Sequence, residues 1–331
     1  MSQQHSSQDS SAEQRVAVVV PSFNHAAFVE ATLRSVFRQT LKPARLLVID
    51  DGSTDDSARV VEKVLNDCPF PAELIARANR GLCATLNEGL SKTSGRYFAY
   101  LGSDDLWLPD FLAARVQTLE SRTRAVVAYG HAFIIDERGD VIDCTLDWAA
   151  YADGDARRML LEETFAPMSP TVLYRRDALE RTGWNERARL EDYELYLRLS
   201  AQGEFAFDPR VLSAWRRHAS NTSRDFAWMI EARLEAQANV AAELDLSAAE
   251  LRRFRRVLEF AGAEDLLRLG DKPRALSFLR RGLRGAPSTK ALARVLLRLL
   301  TPYTLVERRR RRTRLRAARR YGSLSEMMNA E

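Results

Sequence analysis

Tyr97-Phe98-Ala99-Tyr100-Leu101-Gly102-Ser103-Asp104-Asp105 is an apolar run that ends in two adjacent carboxylates. An uncharged stretch of this kind, closed by an acidic turn, reads as a buried strand. Carboxylates at the carboxyl end of such a strand stand where open α/β sheets bind ligands, and they can hold a divalent cation against a phosphate. Taken alone, Ser103, Asp104 and Asp105 would serve equally to cap a helix beginning near Pro109. The rest of the chain decides between the two.

Upstream, residues 15–20 and 45–49 are further buried-strand runs, with a shorter one at 72–76. Helical spacing fills the gaps at 28–39, 54–65 and 82–90. This alternation predicts a parallel, doubly wound sheet flanked by helices. Beyond the acidic pair the pattern predicts a helix over 109–120 and strands over 125–135 and 141–144. A helix over 159–164, a short strand over 171–174 and a helix over 190–201 come next, then strands over 205–207 and 211–215. From Asp225 onward only helical patterns remain, at 228–244, 248–269, 273–285 and 288–300, punctuated like helix hairpins by Gly270, Pro273, Gly285 and Pro287. The expected division is a polar, disordered tail at 1–14, an α/β domain at 15–223, and an all-α, basic region at 224–331.

Charge follows this division. Residues 224–331 carry 24 Lys/Arg against 13 Asp/Glu, and residues 1–223 carry 26 against 32. The basic character therefore belongs to the tail. The acidic excess of the first part argues against a broad nucleic-acid surface. Arg308 to Arg312, with Leu305, Val306, Leu315 and Tyr321 nearby, suits either an anionic membrane surface or a solvated basic helix end. No run approaches the ~18 uncharged apolar residues of a membrane-spanning helix. The three scattered cysteines, Cys68, Cys83 and Cys144, fit a reducing compartment rather than a disulfide framework. The expected location is cytoplasmic, either free or peripheral on the cytoplasmic face of the membrane.

Four motifs line up in order. Val20-Pro21-Ser22-Phe23-Asn24 follows the first strand, and Asp50-Asp51-Gly52-Ser53-Thr54-Asp55 the second. Leu101-Gly102-Ser103-Asp104-Asp105 follows the fourth, and Leu190-Glu191-Asp192-Tyr193-Glu194 opens a later helix. Together they resemble the family 2 glycosyltransferases of GT-A nucleotide-sugar fold, over about residues 15–220. The resemblance implies a mostly parallel GT-A sheet, a nucleotide-sugar donor (a UDP-sugar favoured), a Mg²⁺ or Mn²⁺ cofactor, and inverting transfer to a glycan or lipid-linked acceptor in cell-envelope or surface polysaccharide synthesis.

Residue by residue, Pro21, Phe23, Asn24, Asp51, Arg80 and Asp104 are the expected donor-binding set. Phe23 supplies a face for the base, and Asp51 accepts the imide N–H of uracil. Asp105 and His218 are the expected metal ligands. His218 follows Trp215-Arg216-Arg217, a context in which similar sequences close the donor site. Asp192 is the expected base for the acceptor hydroxyl, crowded by Glu191 and Glu194, with Glu191 on the acceptor side. His25 and His131 are read as structural. In one respect the chain departs from the family's Asp-x-Asp signature: its usual first carboxylate is here Gly102 or Ser103. That departure motivates the alternative of a non-catalytic nucleotide-sugar or glycan binding module.

Overall fold

The protein was analysed as a computed structural model, which describes residues 16–221 and 224–324. The segment at 1–14, expected to be disordered, lies outside the described residues. Along the chain, β1 (Val16–Ser22), α1 (Val29–Phe37), β2 (Arg45–Asp50), α2 (Ser57–Leu65), β3 (Ala72–Ala76), α3 (Leu82–Lys92) and β4 (Tyr97–Tyr100) alternate strictly. Then come β5 (Leu106–Trp107), α4 (Phe111–Ser121), β6 (Ala125–Ile135), β7 (Val141–Cys144), α5 (Ala156–Leu161), β8 (Leu173–Arg175), α6 (Arg176–Thr182), α7 (Glu191–Leu199) and β9 (Glu204–Arg216). Five helices close the described chain: α8 (Phe226–Asn239), α9 (Ala248–Leu269), α10 (Lys272–Gly282), α11 (Thr289–Leu300) and α12 (Tyr303–Tyr321).

The continuous apolar runs become the centre of one sheet because both of its faces are covered. Along β1, Ala17 and Val19 face a core shared with α3 and α7, and Val16, Val18 and Val20 face one shared with α1, α2 and α4. This is the two-residue alternation of a strand. The strand order is β3-β2-β1-β4-β8-β6-β9-β5, with β7 paired to β6. β3, β2, β1 and β4 are mutually parallel, and β6 and β9 are parallel. Antiparallel β8 joins the two sets. With β2 on one side of β1 and β4 on the other, the chain reverses direction across the sheet there, and a crevice opens at the carboxyl ends of those strands.

Several boundaries differ from the sequence pattern for local reasons. The strand expected at 171–174 starts later, because Ser169–Thr171 closes a 3₁₀ turn first. The helix expected at 159–164 is Ala156–Leu161, capped by the Asp155 carboxylate accepting the Arg157 N–H. The runs at 205–207 and 211–215 are one strand, β9, whose pairing with β6 shifts register between Gly130 and Ala132. Pro209 lies in that irregularity, where its missing N–H costs no ladder bond. The two-residue β5 carried no periodic signal. In α9 the sequence pattern matches the helix, because Ser247 and Glu250 form a reciprocal capping box and Gly270 ends it in the left-handed conformation.

The C-terminal helices share core with the sheet. Ala236, Val240, Leu244 and Phe254 pack with Tyr193, Leu197 and Phe205. At the far end, Ala317 and Leu324 pack with Phe133, Ile135, Val141, Cys144 and Ala214. A buried ion pair locks α4 under β9: Arg115, 0% exposed, donates from Nη1 to Asp208 Oδ2 at 2.8 Å and from Nε to the Thr171 carbonyl at 2.9 Å. Asp208→Ala strands that guanidinium in the core, a change worth about 3–5 kcal/mol. The urea midpoint should fall accordingly with an unchanged m-value; a loss below about 1 kcal/mol would show that the pair does not hold α4 in place.

Candidate active site

Three strand ends build the crevice, and hydrogen bonds between their loops hold it open. After β1, Asn24 adopts a left-handed backbone (φ 55°), a conformation its short amide side chain tolerates. Its N–H donates to Ser53 Oγ (2.9 Å), and its Oδ1 accepts from the Thr54 N–H (2.8 Å). After β2, Asp50 is folded back on Ser53. Asp51 accepts the N–H groups of Arg80 (2.8 Å) and Gly81 (2.9 Å) and pairs with Arg77. Gly52, at φ 80°, lets this loop approach the next: a Cβ there would sit 2.7 Å from the Asn79 nitrogen.

The loop after β4 splits its two carboxylates. Asp105 is 4% exposed; its Oδ1 accepts the Arg216 N–H at 2.8 Å, and its carbonyl accepts Thr32 Oγ1 at 2.8 Å. Burial pushes its carboxyl well above the ordinary range, Asp104 adds to the rise, and Arg216 opposes it. Asp104 faces the crevice. Its Oδ2 lies 2.8 Å from His218 Nε2 and 3.9 Å from His25 Nε2.

His25, Asp104 and His218 thus present one donor atom each, all within 4.8 Å of one another. The remaining ring nitrogen of each histidine is held by a hydroxyl: His25 Nδ1 by Ser103 Oγ and His218 Nδ1 by Ser220 Oγ, both at 2.8 Å. Outer partners of this kind orient ligating imidazoles. Burial lowers the His25 pKa against the pull of Asp104, and His218 lowers it further. His25 is therefore neutral near pH 7, the form that binds metals. The donor set fits a divalent cation. Gly102 keeps the space: a Cβ at 102 would lie 2.8 Å from Asp104 Oδ1.

On the opposite wall, α7 begins with two carboxylates, a favourable place beside the positive end of the helix. Glu191 Oε1 accepts from Tyr100 Oη at 3.4 Å, at the end of β4. Burial, then Asp192, pushes the Glu191 carboxyl up to about 8. Burial raises Asp192 too, while its own Tyr193 N–H (2.6 Å) and Arg233 hold it down. Glu194, expected to crowd Asp192, does not: its oxygens accept from Asn185 (2.7 Å) and Asn239 (3.0 Å), a structural tie between α7 and α8.

The crevice brings together Asn24, Asp51, Asp104, His218, Glu191 and their loops. Phe23 and Arg80 are exposed on its rim. Pro21 is buried inside β1 opposite Ile49 rather than facing the crevice. Asp105, paired with His218 in the sequence reading, is tied to Arg216 while Asp104 stands against the histidines. His25, read as structural, stands in the cluster; its place directly after Phe23-Asn24 was the available signal. His131 is buried against Thr145 (3.0 Å), away from these groups.

Residues 17–183 match the model of Glycosyl transferase family 2. An uncharacterized glycosyltransferase of Nostoc sp. is 28% identical over 170 residues, covering 50% of this chain and 52% of the relative. Chondroitin synthase of Escherichia coli is 25% identical over 209 residues, 63% of this chain and 30% of the relative. The chain thus spans about half the length of the first relative and under a third of the second. Among solved structures, S. aureus TarS 1–349 in complex with UDP-GlcNAc superposes with a TM-score of 0.58 at 15% identity, covering 90% of this chain and 92% of the other. The mannosyltransferase PcManGT of Pyrobaculum calidifontis, in complex with GDP-Man and Mn²⁺, gives 0.54 at 20% identity, covering 92% and 86%. With the family model matched over half the chain and a fold shared with these solved structures, the protein belongs to glycosyl transferase family 2 and has the GT-A fold.

Proposed function

We propose that this protein is an inverting glycosyltransferase, moving a sugar from a nucleoside-diphosphate donor, UDP-linked by preference, to a hydroxyl of a glycan or lipid-linked acceptor in envelope or surface polysaccharide synthesis. One observation carries the reading: Asp104, clustered with His25 and His218, follows β4, and the last residue of that strand, Tyr100, holds the raised carboxyl of Glu191 beside Asp192. The fold's likeness to structures holding UDP-GlcNAc and GDP-Man supports the donor class, and the chondroitin synthase match supports a polysaccharide product.

In this reading Phe23 offers its ring to the base. Asp51 has about one of its four acceptor sites left for a base N–H. Arg80 reaches toward phosphate. His25, Asp104 and His218 would hold the cation, and their two imidazoles favour Mn²⁺ over Mg²⁺. The bound cation would neutralise the departing diphosphate. Asp105, bonded to Arg216, keeps Asp104 in position. As the acceptor oxygen bonds to the anomeric carbon on one face, the bond to the diphosphate breaks on the other. The electron pair leaves with the diphosphate, and the hydroxyl proton passes to Asp192. Gly102 favours a second reading, a nucleotide-sugar binding module without turnover. Release of UDP from a UDP-sugar in the presence of acceptor and Mn²⁺ supports the transferase; donor binding without release supports the module.

UDP at about 100 times its dissociation constant should stabilise the fold by about 2.7 kcal/mol. Mn²⁺ should enlarge that thermal shift in the native chain but not in His218→Ala or Asp104→Asn. Equal Mn²⁺ increments in all three would remove the cluster from metal binding. Asp192→Asn should keep donor affinity while transfer falls roughly 10²- to 10⁴-fold; lost donor affinity with normal turnover per bound donor would exclude Asp192 as the base. For Glu191, a carboxyl that holds its proton more tightly folded than unfolded makes stability fall as pH rises between its ordinary 4.5 and about 8. Glu191→Gln should therefore unfold at a higher temperature than the native chain at pH 8.5, and the two curves should meet near pH 4. Parallel curves across that range would show that Glu191 is not desolvated.

A further inference from the structure

α11 is apolar on two faces, and only one is covered. Ala291 and Val295 are buried with Leu258, Leu266, Phe278 and Leu279. On the other face Ala293, Leu296, Leu297 and Leu300, at i, i+3, i+4 and i+7, are exposed, Leu297 by 68% and Leu300 by 79%. After the break at Thr301 and Pro302, Tyr303, Leu305 and Leu315 of α12 are exposed as well. These two helices hold six of the twelve exposed large apolar side chains among the described residues, so the patch is a concentration rather than scatter.

The same segment is the most basic in the protein. α12 carries nine arginines and one glutamate. Its inner face is fixed to the sheet: Val306 and Ala317 are buried, and Ala317 and Leu324 join the core beside β7. Opposite that face, helical spacing puts Leu305, Arg308, Arg312, Leu315, Arg316 and Arg319 on one exposed strip. Among the described residues, Arg308, Arg312, Arg316 and Arg319 have no carboxylate partner, whereas Arg320 at the edge pairs with Asp147 at 2.6 Å. Asp147 lies between exposed Leu146 and Trp148.

Like charges stacked on one helix face repel, so the strip calls for an external anion. A lone basic strip would suit either nucleic acid or lipid headgroups. The leucines on the strip itself, Leu305 and Leu315, decide the matter: bases stack on aromatic rings and guanidinium planes, whereas aliphatic side chains enter the acyl boundary of a bilayer. We infer that α11 and α12 dock this protein on an anionic membrane surface, with Leu296, Leu297 and Leu300 entering the interface and Arg308, Arg312 and Arg316 meeting the headgroups. No described helix is long and apolar enough to cross the membrane, so attachment is to one face. α12 runs beside the end of β9, where Arg310 and Arg314 lie close enough to Arg217 to lower its pKa after burial does. Docking therefore brings the His218 side of the crevice toward the lipid. The inference stands on the tail alone and does not depend on the sugar-transfer reading.

Co-sedimentation of the full chain with vesicles tests it, comparing phosphatidylcholine alone with phosphatidylcholine containing phosphatidylglycerol. The native chain should bind only the anionic vesicles and release as salt rises from 0.1 to 0.5 M. Because the substituted side chains are exposed, R308Q/R312Q/R316Q should fold normally and lose about five-fold in partitioning per arginine, roughly 100-fold together. L296Q/L297Q/L300Q should also bind more weakly, with the salt dependence kept. Equal binding to neutral vesicles, no binding by the native chain, or unchanged binding by both variants overturns the inference. So does displacement from the vesicles by equimolar single-stranded DNA, which reassigns the strip to nucleic acid. Concentration-dependent dimerisation lost in the leucine variant, without vesicle binding, reassigns the patch to a second copy.

Discussion

Arg216 is the joint on which the crevice depends. Its N–H binds the Asp105 carboxylate at 2.8 Å, its Nε binds the Asp104 carbonyl at 2.8 Å, and its Nη1 reaches the carbonyls of Asp136 and Glu137 at 3.1 and 3.2 Å. The guanidinium also lies over the Phe28 ring, 5.1 Å from its centroid. One buried cation thus joins the β4–β5 loop, the β6–β7 turn, the start of α1 and the end of β9. Burial lowers its pKa, and Asp105, Asp104 and Asp136 oppose the loss. With this joint closed, the chain leaving β9 delivers His218 to Asp104.

The other strand-end loops are stabilised by the same economy of short polar links. Asp51 gathers two backbone amides and Arg77, Asn24 bridges to Ser53 and Thr54, and Asp55 binds the Ala26 N–H at 3.1 Å. Each is a polar link between two different loops, so the loops are tied to one another. Preorganised donors and acceptors cost no rearrangement when charge develops.

The electrostatics of the crevice are divided. On one wall, burial keeps His25 neutral beside Asp104; on the other, burial raises the Glu191 and Asp192 carboxyls, and Asp192 adds to the rise of Glu191. A wall that favours cations thus faces one that favours protons. Titratable groups whose environments push their affinities in different directions mark sites where charge is handled rather than merely solvated. The densest basic segment of the chain is α12, whose inner residues are fixed to β7 and whose outer strip is left to solvent.

The sequence alone determined the parallel strands β1 to β4, the order of the motifs and the limits of α9. β1, β2 and β4 are continuous apolar runs that have no stable place except between two covered faces. α9 announces both its ends through Ser247, Glu250 and Gly270. What only the tertiary structure decided is the direction in which neighbouring polar side chains point. Asp104 and Asp105 are adjacent and chemically alike, yet one faces the crevice and the other the core, because Arg216, 111 residues away from Asp105, claims the second. Glu194 is drawn from Asp192 by Asn185 and Asn239, and His25 enters the cluster because Ser103 turns its ring. Local pattern records whether a residue is buried, since burial repeats with the period of the helix or strand. The partner of a polar side chain comes from a remote segment, and no period in the sequence records it.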